Sequence, residues 1–148
     1  MRRRSVCLIV ELALTASTAS NLVACGRSDS ELDPPSACLD AGVDTSCTPA
    51  YGPTYDALYA NTFQRACAAS GVSCHASTGR QAGLDFGDPD RAYAALTNGK
   101  VQPNAPGCSV LVERVIATDG NVRMPPGRSL SAAEQCAIVQ WVANGALR

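Results

Sequence analysis

A chain of 148 residues with a formal charge of −1 has room for one domain plus extensions, and offers no basic field for nucleic acid. Eight cysteines and only 5% aromatic residues describe an exported chain rather than a cytosolic one. Its core must rest on Ala, Val, Leu and Ile and needs support from cross-links or a cofactor.

Met1 to Arg4 is a positive n-region, followed by an apolar run from Val6 to Leu14 that contains Glu11 and is too short to span a bilayer. Leu22-Val23-Ala24-Cys25 resembles a bacterial lipobox. Residues 1–24 therefore read as a lipoprotein signal peptide and Cys25 as the lipidated first residue of the mature chain. This predicts a protein in the periplasm or on the outer surface, lipid-anchored to a bacterial membrane. Cleavage within Thr15 to Ser20 is the alternative, and gives a soluble periplasmic protein.

From residue 25 to residue 50 the chain is rich in Ser, Asp, Pro, Gly and Thr and lacks apolar periodicity, the composition of a flexible tether. The spacing pairs Cys38 with Cys47 in a small local disulfide loop. Asp40 and Asp44 lack the alternating ligands and terminal Glu of a calcium loop.

The domain is expected over residues 51–148. Tyr55, Leu58, Tyr59, Thr62, Phe63 and Ala66 form one face of an amphipathic helix with Thr54 as N-cap, ending near Cys67 with Gly71 as breaker. Asp88-Pro89 opens a second helix running to about Asn98, with Ala92, Tyr93 and Leu96 inward and Gly99 as its stop. A third helix spans Ser109 to Thr118, carries Val112, Val115 and Ile116, and closes on Asp119-Gly120-Asn121. Met124-Pro125-Pro126-Gly127 cannot be helical. Ser131-Ala132-Ala133-Glu134 is a capping box for the last helix, where Ile138, Trp141 and Val142 share a stripe before Gly145. The fold class predicted is all-α: a small domain of four short helices with long loops, stapled by disulfides.

One stretch carries the chemistry. Cys67-Ala68-Ala69-Ser70-Gly71-Val72-Ser73-Cys74-His75 contains two cysteines and the only histidine. A histidine directly after a cysteine is the end of the C-x-x-C-H motif of c-type haem attachment, but here six residues separate the cysteines. That spacing equally suits an intramolecular disulfide.

A helix leading into Cys74-His75, then Gly83-Leu84-Asp85, Met124-Pro125-Pro126-Gly127, Leu130 to Glu134, and Trp141 to Ala146 follow in order. Together they resemble the cytochrome c-like domains of exported planctomycete and myxobacterial proteins, over roughly Tyr55 to Ala146. The resemblance implies haem c, with His75 as proximal and Met124 as distal iron ligand and with Cys74 and Cys67 as thioether sites. Such His/Met ligation raises the potential and suits a single-haem electron carrier, not an enzyme, working with a periplasmic redox partner. Peroxidase chemistry would need a second histidine. Cys108 and Cys136, by the helix layout, staple the last two helices. With Cys7 removed and Cys25 lipidated, six cysteines remain, enough for three disulfides, or two disulfides and a doubly attached haem. The alternative function is a haem-free, disulfide-stapled module with a structural or binding role, in which Cys67 pairs with Cys74 and Met124 is a core thioether. A zinc site from Cys67, Cys74 and His75 is poor, because adjacent residues do not easily ligate one ion.

Overall fold

The computed structural model describes residues 38–39, 42–68 and 74–148; the predicted signal peptide, the Cys25 lipidation site and the Gly71 helix break lie outside them. The fold is all-α, with no strand among the described residues. No helix among them is long and apolar enough to cross a membrane.

Helix α1 (Tyr55–Leu58) starts at Thr54, whose hydroxyl accepts from the Ala57 N–H. It then widens into a π-helix, Tyr59–Cys67, where one continuous α-helix was expected. Ala68 N–H bonds to Phe63 O, five residues back, at 3.0 Å. The Asn61 side chain donates to Ala57 O at 2.9 Å, competing for the acceptor that an α-helical Asn61 N–H would use. The predicted inward face is kept: Tyr55, Leu58, Thr62 and Phe63 are buried, and Tyr59 and Ala66 pack at the core margin.

Helix α2 (Pro89–Thr97) follows the predicted signals. The Asp88 carboxylate accepts from the Asp90 and Arg91 N–H groups, Pro89 occupies the first turn, and Gly99 lies beyond the end at φ +82°. Helix α3 (Val110–Ile116) is preceded by Ser109, whose hydroxyl does not cap it. That buried hydroxyl instead accepts from Gln102 N–H and donates to Ala105 O, bracing the proline-rich loop before the helix. Helix α4 (Ala132–Ala143) carries the expected capping box: Ser131 Oγ accepts from Glu134 N–H, and the Glu134 carboxylate accepts from Ser131 N–H.

The core forms where α1, the π-helix and α4 meet. Tyr55, Phe63, Phe86 and Trp141 cluster at its centre, neighbouring rings 5.0 to 6.5 Å apart between centroids, and Leu58, Leu96, Val112, Ile138 and Val142 fill the space around them. The Trp141 N–H is satisfied by Leu147 O and the Tyr55 hydroxyl donates to Pro89 O, so burial leaves neither polar tip unpaired.

All four cysteines expected to be cross-linked are so, but the pairing is crossed: Cys38–Cys108 and Cys47–Cys136, not Cys38–Cys47 and Cys108–Cys136. The reason is that residues 38–39 and 42–50 lie against the domain. Leu39 N–H bonds to Gly107 O and Ala50 N–H to Ala133 O, while the Gln140 side-chain amide spans Thr45 O and Cys47 O. This strap brings Cys38 to the short 3₁₀ turn Pro106–Cys108 and Cys47 to the buried Cys136 on α4. Two helices joined by long loops need no direct bridge when a third segment binds both.

Candidate functional site

Among the described residues, the loop from Cys74 to Gly87 is built around His75. Gln81 N–H donates to Cys74 O at 2.7 Å, Gly79 and Arg80 N–H both reach Ala76 O, and Phe86 N–H donates to His75 O at 2.6 Å. These bonds fold the loop back on itself so that its two ends meet beside the imidazole. His75 Nδ1 lies 2.9 Å from Gln81 O. A carbonyl can only accept, so Nδ1 carries the proton and Nε2 is the nitrogen with the free lone pair. Burial pushes the imidazole pKa below its ordinary value, outweighing the bond to Gln81, so the ring is neutral at pH 7. The Phe86 ring meets it edge-on at 5.9 Å and itself stacks on Phe63 at 5.0 Å, which joins the loop to the core.

The turn that presents Gln81 O is unusual in backbone. Arg80 (φ +46°) and Ala82 (φ +54°) are both left-handed without being glycine, and Gly83 (φ +72°) follows. A left-handed non-glycine residue costs on the order of 1–2 kcal/mol, so the surrounding contacts must hold this turn in place. Asp85 supplies many of them. Its buried carboxylate accepts from Ser77 Oγ and Gly87 N–H, each at 3.0 Å, and from Arg91 Nε at 3.1 Å, with Arg80 Nε at 3.5 Å. Burial pushes the carboxyl up, but the Gly87 and Ser77 hydrogen bonds and the Arg91 guanidinium outweigh it and hold the group below its usual range.

Met124 stands on a different loop. Its N–H donates to Arg114 O at 2.8 Å, its side chain is half-buried, and the Met124–Pro125 peptide is cis with Pro125 buried. The loop is braced by Arg114 Nη1 on Val122 O and by Asp119, whose carboxylate accepts from the Asn121 N–H.

Cys67, at the end of the π-helix, carries a free thiol and is half-buried against the core. Desolvation pushes that thiol up to about 12, with Arg128, from the loop after Met124, pulling weakly the other way. Cys74 is disulfide-bonded. The Cys67–Cys74 bridge of the haem-free alternative is therefore not formed: the π-helix carries Cys67 into contact with the core, and its sulfur stays a thiol. Among the described residues no three His, Cys, Asp or Glu side chains converge on a common metal position. An open, mainly apolar cavity of about 670 Å³ lies elsewhere, between the strap (Leu39, Val43), the end of α3 (Ile116), Val122 and α4 (Val139), and none of the predicted haem residues lines it.

Sequence reading picked out His75 but not the groups that orient it. Gln81 acts through its backbone, which a side-chain motif cannot reveal. Gly83-Leu84-Asp85 marks the family in sequence, and only the folded loop gives Asp85 a role.

Residues 72–127 match the family model for planctomycete cytochrome C, and this match supports a cytochrome c-like domain of that type over this part of the chain. The match begins two residues before Cys74 and ends on Gly127, so it encloses both His75 and Met124. It leaves out α1, the π-helix and α4, which the sequence reading had included. No curated protein and no solved structure matches the chain.

Proposed function

We propose that this chain is an exported single-haem electron carrier in which His75, through Nε2, and Met124 would hold the haem iron. The observation that carries the reading is the His75 hydrogen bond. A ligating imidazole needs its other nitrogen held by a carbonyl or carboxylate, which fixes the tautomer and the ring orientation, and Gln81 O does this at 2.9 Å. The depressed pKa supports the same role, because only neutral imidazole binds a metal. A haem with imidazole and thioether ligands supplies one-electron transfer at raised potential. The chain's own part is to present the two ligands on separately braced loops and to pack Phe86 against the imidazole.

The donor set, one imidazole and one thioether, suits haem iron by its chemistry. Thioethers at Cys67 and Cys74 need both sulfurs as thiols, and Cys67 is one in the folded chain. A second reading, a haem-free module with a structural or binding role, is favoured by the two cross-links Cys38–Cys108 and Cys47–Cys136, which staple the fold without a cofactor. Export by the signal peptide, lipidation at Cys25, a periplasmic or outer-surface location and a periplasmic redox protein as partner belong to the proposed reading, which involves no enzyme activity and no nucleic acid.

The test is to co-express the chain with a c-type maturation system and to compare it with His75→Ala and Met124→Ala. The reading expects a low-spin spectrum that His75→Ala abolishes and Met124→Ala converts to high-spin. Wild-type protein with no haem from such cells would establish the second reading instead.

A further inference from the structure

We propose that Asp85 is a positioning residue for His75, its carboxylate tying together the three backbone segments that aim the imidazole. Its importance for ligation rests on the reading above, whereas the clamp itself does not.

The four partners of Asp85 come from three segments around the His75 loop. Ser77, two residues past the imidazole, fixes the loop's outgoing chain through Oδ1. Arg80 immediately precedes Gln81, whose carbonyl receives the Nδ1 proton, and its guanidinium meets Oδ2. Gly87 and Arg91 hold the carboxylate from the start of α2. Phe86, between Asp85 and Gly87, bonds to His75 O and lays its ring against the imidazole. One carboxylate at 4% exposure thus connects every segment that orients Nε2.

Two independent features point the same way. A Cβ at Gly87 would stand 2.6 Å from Ser77 Oγ and 3.1 Å from Asp85 Oδ1, so only glycine lets the backbone close on this cluster. The turn carrying Gln81 is left-handed at Arg80 and Ala82, a conformation that needs an external tether, and Arg80 is tethered by Asp85.

The experiment uses amide and imidazole proton exchange on the ¹⁵N-labelled full chain as purified, comparing wild type with Asp85→Asn and with Ser109→Ala. Ser109 is a buried hydrogen-bonded group in another loop and controls for general destabilisation. Losing bonds to a charged group predicts that Asp85→Asn speeds exchange of the Gln81 and Phe86 amides and of His75 Nδ1–H by about tenfold or more. The Val139 and Trp141 amides in α4 should keep their protection, and Ser109→Ala should leave the His75 loop unchanged. Equal loss across the chain, or no change at Gln81 and Phe86, overturns the proposal. If Asp85→Asn does not fold, the exposed Arg91→Gln variant carries the test. A smaller loss confined to the same three protons supports the clamp, and none refutes it. The readout needs no haem: a haem-free chain with the confined loss keeps the clamp and removes the ligand reading, while a haem-bound chain without it does the reverse.

Discussion

Replacing Cys47 and Cys136 together with alanine tests whether the strap is part of the folded domain. The bridge spans 89 residues, and on the loop-entropy relation a closure of that length stabilises by about 4.6 kcal/mol when it stands alone. It does not stand alone. With Cys38–Cys108 intact, the shorter path runs back from Cys47 to Cys38, across that bridge, and on from Cys108 to Cys136, a loop of about 37 residues. This lowers the expected contribution to about 4 kcal/mol, a large part of the 5–15 kcal/mol typical of a whole domain. The strap's bonds from Ala50 to Ala133 and from Gln140 to Thr45 and Cys47 remain, so the native arrangement should survive. The melting temperature should fall by about 15 °C, measured by far-UV circular dichroism. The fluorescence of Trp141, buried at 1% exposure, should report the same loss in urea. A loss below about 1 kcal/mol would refute the reasoning, because it would mean that the strap is no more ordered in the folded chain than in the unfolded one.

Three further outcomes are expected. Ser131→Ala removes the capping box of α4 and should cost about 1 kcal/mol in urea unfolding; no change would mean that another group satisfies the Glu134 N–H. Phe63→Ala opens the centre of the aromatic cluster and should cost about 3–5 kcal/mol, whereas a loss under about 1 kcal/mol would mean that the core closes over the gap. Cys67 has a folded pKa of about 12 against an ordinary 9.0, so the folded state holds the proton more tightly. The stability it contributes is complete below pH 9.0 and should be lost as pH rises from there towards 12, with iodoacetamide labelling at pH 8 slow until the chain is unfolded. Fast labelling of native protein would contradict the burial of this thiol.

The helices were legible because their signals are local. Thr54, Asp88-Pro89 and the Ser131–Glu134 box each mark a start by satisfying backbone N–H groups within one turn, and all three do so in the structure. The π-winding after Leu58 was hidden, since a stripe at Tyr55, Leu58, Thr62 and Phe63 remains inward in either helix type. Cysteine pairing was illegible for a different reason. Cys38 and Cys47 look like neighbours along the chain, but what decides the pairing is the docking of residues 42–50 on α4 through Gln140, a contact about 90 residues distant in sequence. At the site, the sole histidine was visible from composition. Its orientation depends on a main-chain carbonyl, two left-handed residues and a buried carboxylate, none of which a spacing pattern encodes.

Whether His75 ligates haem iron is read most simply from the reduced-minus-oxidised absorption spectrum of the wild-type protein purified from its native host. A sharp reduced α-band from a low-spin His/Met haem, at one equivalent per chain, is expected. A colourless protein whose mass is accounted for by polypeptide, lipid and disulfides alone would contradict it.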